Sequence, residues 1–134
     1  MLEWFENGSQ IFEIPHRRQD FFNNGKKNLS SKEFEDLKNY VNEIIDKFLI
    51  SKSADNKFFV PGWEATGSWE NTPLQTIWEK VYKHDHEYCA LWYGLLVMEV
   101  LIERGEDWKA IKTNYNKDFE QMTYWTNSDC LVNA

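Results

Sequence analysis

His84, Asp85, His86 and Glu87, with Cys89 two residues further on, are the densest run of metal-capable side chains in the chain. Zinc centres draw on three or four convergent ligands of these types. From a regular helix His84 and His86 would point about 200° apart, so the two could not share one ion, and His16 is the only other histidine. The run reads as a polar helix junction, with Asp85 capping the helix that follows. No metal and no other cofactor is expected. Cys89 lies in an apolar stretch, where a thiol packs as a small hydrophobe. Cys130 is the only other cysteine, and the pair lacks CxxC spacing, so a disulfide framework is excluded.

Glu99 is the most conspicuous single acid. It stands among Leu96, Met98 and Val100, and a carboxylate taken out of water must be paired or have its pKa raised. Two uses are open to it: a general acid or base, or a place on one wet stripe of its helix with Glu103 at i+4. A structural hydrogen bond is a third. Glu64, Glu70 and Glu79 stand near tryptophans, as the carboxyl pair of a glycoside hydrolase would, but three glutamates in an acidic chain need no such explanation. No GxSxG, P-loop, GxGxxG or HExxH is present. Nothing positive points to catalysis, and a non-enzymatic role is the expectation.

The block PGWEATGSWENTPLQTIW, residues 61–78, holds three tryptophans, of which Trp63 and Trp69 fall among Gly62, Gly67, Ser68 and Asn71. Large apolar rings on a glycine-rich loop admit three uses. They fold back over the core edge, they stack on a sugar, or they anchor a protein interface, where aromatics supply hot spots and acids speed the encounter.

The elements that would position these residues are legible in part. Leu2–Ile14 carries Asn7-Gly8, a type I′ turn signal, so residues 1–14 suggest a β-hairpin ended by Pro15. Residues 16–29 read as a linker with one helical turn at Phe21-Phe22. Residues 30–51 read as an amphipathic helix, because Ser30 and Glu33 form a capping box and Phe34, Leu37, Val41, Ile44, Ile45 and Phe48 recur at helical spacing. After a polar loop at 52–57 and a short strand at 58–60, Thr72, Pro73 and Gln75 open a helix over 73–83. Tyr88 to Ile102 is apolar nearly all round, which marks a buried central helix over 86–104 that stops at Gly105. Gly94 within it implies a close helix crossing. Two strands over 108–126, turning at 116–118, suggest a second hairpin, with a helix over 107–120 as the alternative. The fold class expected is α+β: a mainly helical single domain with a buried central helix and a small antiparallel β element.

A chain of 134 residues is one domain by size. Its formal charge of −7 argues against nucleic acid and against an anionic membrane, whose recognition needs basic surface. It fits a basic partner. Residues 61–134 hold twelve acids and six bases, against ten and nine in residues 1–60, so the excess lies with the tryptophan block. The start, Met1-Leu2-Glu3-Trp4, lacks signal-peptide character, and no apolar stretch suits a bilayer. A soluble, cytoplasmic protein is expected. Size, charge and the blocks GWEATGSWENTPLQTIWEKVY and ALWYGLLVMEVLIERGEDW resemble the small acidic immunity proteins of bacterial polymorphic and contact-dependent toxin systems. That resemblance implies an inhibitor that binds one basic toxin domain, often a nuclease. Phage anti-defence proteins share the look, and a small enzyme or ligand-binding protein with a pocket around Glu99 is the rival. The candidate contact residues are Trp63, Glu64, Trp69, Glu70, Asp107, Trp108, Asp118 and Glu120.

Overall fold

A computed structural model describes residues 2–6, 9–51, 69–116 and 119–126, the last strand pair by its backbone. Strands β1 (Leu2–Glu6) and β2 (Ser9–Ile11) lead into helices α1 (His16–Lys26) and α2 (Ser31–Ser51). A π-helical segment, Ile77–Val81, precedes α3 (His86–Arg104), and strands β3 (Trp108–Asn116) and β4 (Phe119–Thr126) follow. The fold is α+β and mainly helical among the described residues. The expected strand at 58–60 and the turn at Asn7-Gly8 lie outside them.

Side-chain chemistry sets the helix ends. Ser30 Oγ accepts from Glu33 N at 3.1 Å and Glu33 Oε1 accepts from Ser30 N at 2.9 Å, a reciprocal capping box at the start of α2. Asp85 Oδ1 accepts from Tyr88 N at 2.9 Å to open α3. Gly105, at φ 74°, closes it in the left-handed conformation that glycine adopts without penalty.

Four expectations are corrected. The supposed linker after Pro15 is an eleven-residue helix. Its Asn23-Asn24-Gly25 run looks like a breaker, but tertiary contact outweighs propensity here. Trp92 Nε1, at the centre of α3, donates to the Phe22 carbonyl at 2.9 Å, and its ring stacks on Phe22 at 4.9 Å. Second, the close approach falls at Gly25, not Gly94. A Cβ at Gly25 would stand 2.6 Å from both Trp92 Nε1 and Val81 Cγ1, whereas one at Gly94 meets no described atom within 4 Å. Third, residues 73–83 are not a plain α-helix. Thr72 Oγ1 accepts from Leu74 N at 3.2 Å, the Gln75 side chain turns to Glu79, and the chain tightens through turns into the π-helical segment. Its last bonds, Tyr82 N to Ile77 O and His84 N to Trp78 O, span five and six residues.

Fourth, the sheet is mixed, not a small antiparallel element. Its order is β2-β1-β3-β4. β1·β2 and β3·β4 pair antiparallel, but β1 lies parallel to β3, with Leu2 opposite Trp108 and Trp4 opposite Ala110. A parallel joint needs a long crossover, and all three α-helices lie between these two strands in sequence. Trp4, Trp108 and Ala110 enter the same core as Leu37, Val41, Ile45, Phe48, Trp92, Leu96, Val97 and Val100.

Candidate functional site

The candidate contacts that are described differ in environment. Trp69 is half-buried against the core, its ring edge-on to Tyr93 at 5.6 Å. Thr72 holds it there, donating to the Trp69 carbonyl from both its backbone and its hydroxyl. Glu70 and Asp107 are exposed, and each is engaged with a neighbouring group. Trp108 is fully buried, and its Nε1 donates to Glu106 Oε1 at 3.1 Å. It is a core residue and cannot meet a partner. The alternation of β3, which directs Trp108 and Ala110 inward together, is the signal that would have shown this. Glu120 sits on β4 opposite Asn114. Trp63, Glu64 and Asp118 lie outside the described residues.

What the structure does assemble is an acid-rich seam where the end of α3 meets α2. Lys38 pairs with Glu103 at 3.2 Å and reaches Glu35 at 3.7 Å. Arg104 binds Asp46 at 2.9 Å and Glu106 at 2.8 Å, and a third bond, at 2.9 Å, goes to Asn42 Oδ1. Two cations thus serve four carboxylates, and Asp107 follows in sequence. Ile102, half exposed, lies beside them on α3. Arg104 could not have been chosen from sequence, because its partner Asp46 is 58 residues away. In the last turn of a helix it looks only like a charge complementing the helix dipole.

Glu99 borders this seam. Burial pushes its carboxyl above the ordinary range, Glu103 adds to the shift, and Lys26 and Lys38 oppose it. Its Oε2 is buried and has no hydrogen-bond partner among the described residues. Both lysines lean over the Phe34 ring, Lys26 at 4.3 Å and Lys38 at 5.3 Å, where the ring face attracts an ammonium. The carboxyl is therefore near cations yet bonded to neither. Glu106 shows the opposite behaviour: its hydrogen bonds from Arg104 lower it despite partial burial.

No family model, curated protein or solved structure matches this chain. Its site must be judged on its own chemistry.

Among the described residues no group of three or more His, Cys, Asp or Glu side chains could hold a metal. The histidines of the HDHE run pack on Trp78 instead, His84 at 5.1 Å and His86 at 4.6 Å. His84 has φ 60°, uncommon for a side chain of its size, and sits outside the helix that Asp85 caps. Cys89 is a free buried thiol, raised by desolvation, with its Sγ toward the Tyr82 carbonyl at 3.2 Å. A thiol so placed is a poor nucleophile. An open cleft of about 780 Å³ lies between α1 and the π-helical segment, lined by Asn24, Asn28, Tyr82, Lys83, Asp85 and Tyr88. Glu99 is not among its walls. Among the described residues no helix is long and apolar enough to cross a membrane.

Proposed function

We propose that this protein is a non-enzymatic inhibitor, of the immunity-protein kind, that docks on a basic protein partner such as a nuclease toxin domain. The observation that carries the reading is the seam at the end of α3. Glu35, Asp46, Glu103 and Glu106 surround Lys38 and Arg104 and leave a local negative excess. The chain's formal charge of −7 has the same sign. Fixed, mutually braced carboxylates of this kind steer a cationic partner and hold its arginines without reorganising. Ile102 offers an apolar contact beside them. Trp63, Glu64, Glu70, Asp118 and Glu120 belong to the same proposal as contact residues on the strength of the sequence.

The test is capture from source-cell lysate, followed by stopped-flow association with the purified partner. A basic partner is expected, with an association rate that falls steeply with salt. Reversing Glu35, Glu103 and Asp107 to lysine should slow association at least tenfold with circular dichroism unchanged. An acidic partner, or a rate indifferent to both salt and charge reversal, would refute the proposal. A second reading, a small enzyme or ligand-binding protein acting through Glu99, draws on that carboxyl's unbonded Oε2. It requires a ligand whose binding is abolished by Glu99→Gln.

A further inference from the structure

We propose, resting on the basic-partner reading above, that the open face of α3 receives an amphipathic helix of that partner, apolar on one side and lysine- or arginine-rich beside it. α3 is apolar nearly all round, and most of it is buried. One face is not. Tyr88 is 48% exposed, Leu91 59% and Ile102 50%, and Leu95 between them is only partly buried. These four fall at i, i+3, i+7 and i+14, the a and d positions of a heptad, and buried Met98 fills the remaining position. Single apolar residues on a surface are ordinary, but a row along one helix marks a contact face. Tyr88 is steadied from behind by Phe21 and Tyr82, each ring at 5.5 Å. Gly94 flanks the row, and a Cβ there meets no described atom within 4 Å, so a partner side chain has room beside Leu91 and Leu95. At about 1.5 Å per residue the row is about 21 Å long, which suits a helix docking through i, i+3, i+4 and i+7 anchors.

Charge decides which helix. On the helical wheel Glu87 lies on one side of the row, and Glu99 and Glu103 on the other. Such flanking positions choose a helix's partner by opposite charge. α3 has no lysine, and its one arginine, Arg104, is turned to Asp46 and Glu106. Lys38 answers Glu103 from α2, while Glu87 stands exposed. At the Ile102 end the row runs into the acidic seam. A second copy fits poorly. Two α3 helices crossing antiparallel about Leu95 lay Tyr88 on Ile102, but they also set Leu91 against Glu99 and Glu87 beside Glu103. Each chain also brings a charge of −7.

The test uses the full chain and a synthetic peptide of about fifteen residues, the length of the row, with leucine at a and d and lysine elsewhere. One control replaces every lysine by glutamate, and another keeps the composition but scrambles the period. The lysine peptide is expected to bind saturably, with NMR shifts at the Leu91, Leu95 and Ile102 methyls, and neither control should bind. Leu91→Gln with Ile102→Gln adds no charge and should weaken binding about tenfold. It should leave the melt unchanged, since both side chains are at least half exposed. Equal binding of the glutamate peptide overturns this proposal and the basic-partner reading with it. Absence of saturable binding, binding that the glutamine pair does not weaken, or binding that the scrambled peptide matches overturns this proposal alone, since the seam can still dock a basic protein without it. A glutamine pair that melts well below the native protein shows that the chain itself covers the face. A dimer in sedimentation equilibrium that the pair disperses shows that a second copy does. Either result overturns the proposal.

Discussion

Replacing Gly25 by alanine tests the packing of α1 on α3 most directly. The added Cβ would stand 2.6 Å from Trp92 Nε1, 2.6 Å from Val81 Cγ1 and 2.8 Å from Trp92 Cδ1. Ordinary contact begins near 3.4 Å, so something must retreat by about 0.8 Å. Trp92 has nowhere to go. It is fully buried, stacked on Phe22 at 4.9 Å and edge-on to Phe34 at 6.5 Å. If α1 moves instead, the 2.9 Å bond from Trp92 Nε1 to the Phe22 carbonyl stretches beyond hydrogen-bonding range. Overpacking costs about 1–3 kcal/mol, and a buried indole N–H left without its acceptor about 1–3 kcal/mol more. Alanine's better helix propensity returns about 1 kcal/mol. The expected net loss is about 3 kcal/mol, a fall in Tm of roughly 10 °C for a chain of this size. Urea unfolding followed by tryptophan fluorescence measures it, and an unchanged m-value is expected. In a double-mutant cycle, Trp92→Phe removes the indole Nε1 that the new methyl strikes, though Val81 Cγ1 remains, so the two changes together should cost less than their sum. A Gly25→Ala variant within 1 kcal/mol of the native protein would show that α1 has room to spare, and the account of its folding given above would fail.

Gly94→Ala, where a methyl meets no described atom, should leave stability unchanged or raise it by up to about 1 kcal/mol in the same urea assay. Glu99 titrates above the usual carboxylate range in the fold, so its contribution is full below the unfolded carboxyl pKa and is lost as pH rises through the folded value. Glu99→Gln should therefore stabilise the protein at pH 7 and converge on the native protein near pH 4, as melts across pH would show. Glu106 is lowered, chiefly by its bond from Arg104, and runs the other way. Its stabilisation is present at neutral pH and is lost as pH falls through its folded value, so Glu106→Gln should lower Tm at pH 7 and matter least in acid. Cys89, buried and raised, should resist alkylation in the folded protein at pH 7.5 and react on denaturation, read by peptide mass mapping of the Cys89 peptide.

Three local signals in the sequence are realised, although the equally local Thr72–Gln75 box is not. The Ser30–Glu33 box needs only a four-residue window, as do the Asp85 cap and the stop at Gly105, and all three are formed. The same reasoning misjudged residues 16–29, because Asn23, Asn24 and Gly25 have low helix propensity taken alone. What holds α1 is Trp92, about seventy residues away. It misplaced the close-packed glycine for the same reason: Gly94 sits in the more apolar helix, but the space is filled at Gly25. The parallel β1·β3 joint likewise cannot be read from either strand, since each alternates equally well beside any neighbour. The candidate contacts divided along this line too. Trp108, a candidate contact by sequence, is a core residue whose buried N–H donates to Glu106.

The acidic seam is likewise built by residues distant in sequence, and this bears on how such a surface works. A lone exposed carboxylate contributes little to stability and loses little when a partner replaces water. Arg104, with its side chain only 17% exposed, is different: it holds Asp46 from α2 and Glu106 from the β3 approach in one fork, and Glu106 in turn holds Trp108. Its guanidinium is raised further by those bonds, so it stays charged under all ordinary conditions. The carboxylates are thereby fixed in place before any partner arrives, and their outward oxygens need no ordering on binding. Arg104→Ala would release Asp46, Glu106 and the Trp108 indole together. An inhibitor built on this seam should then lose association rate through removed pre-organisation even though the substitution makes the surface more negative. A seam that worked by net charge alone would gain.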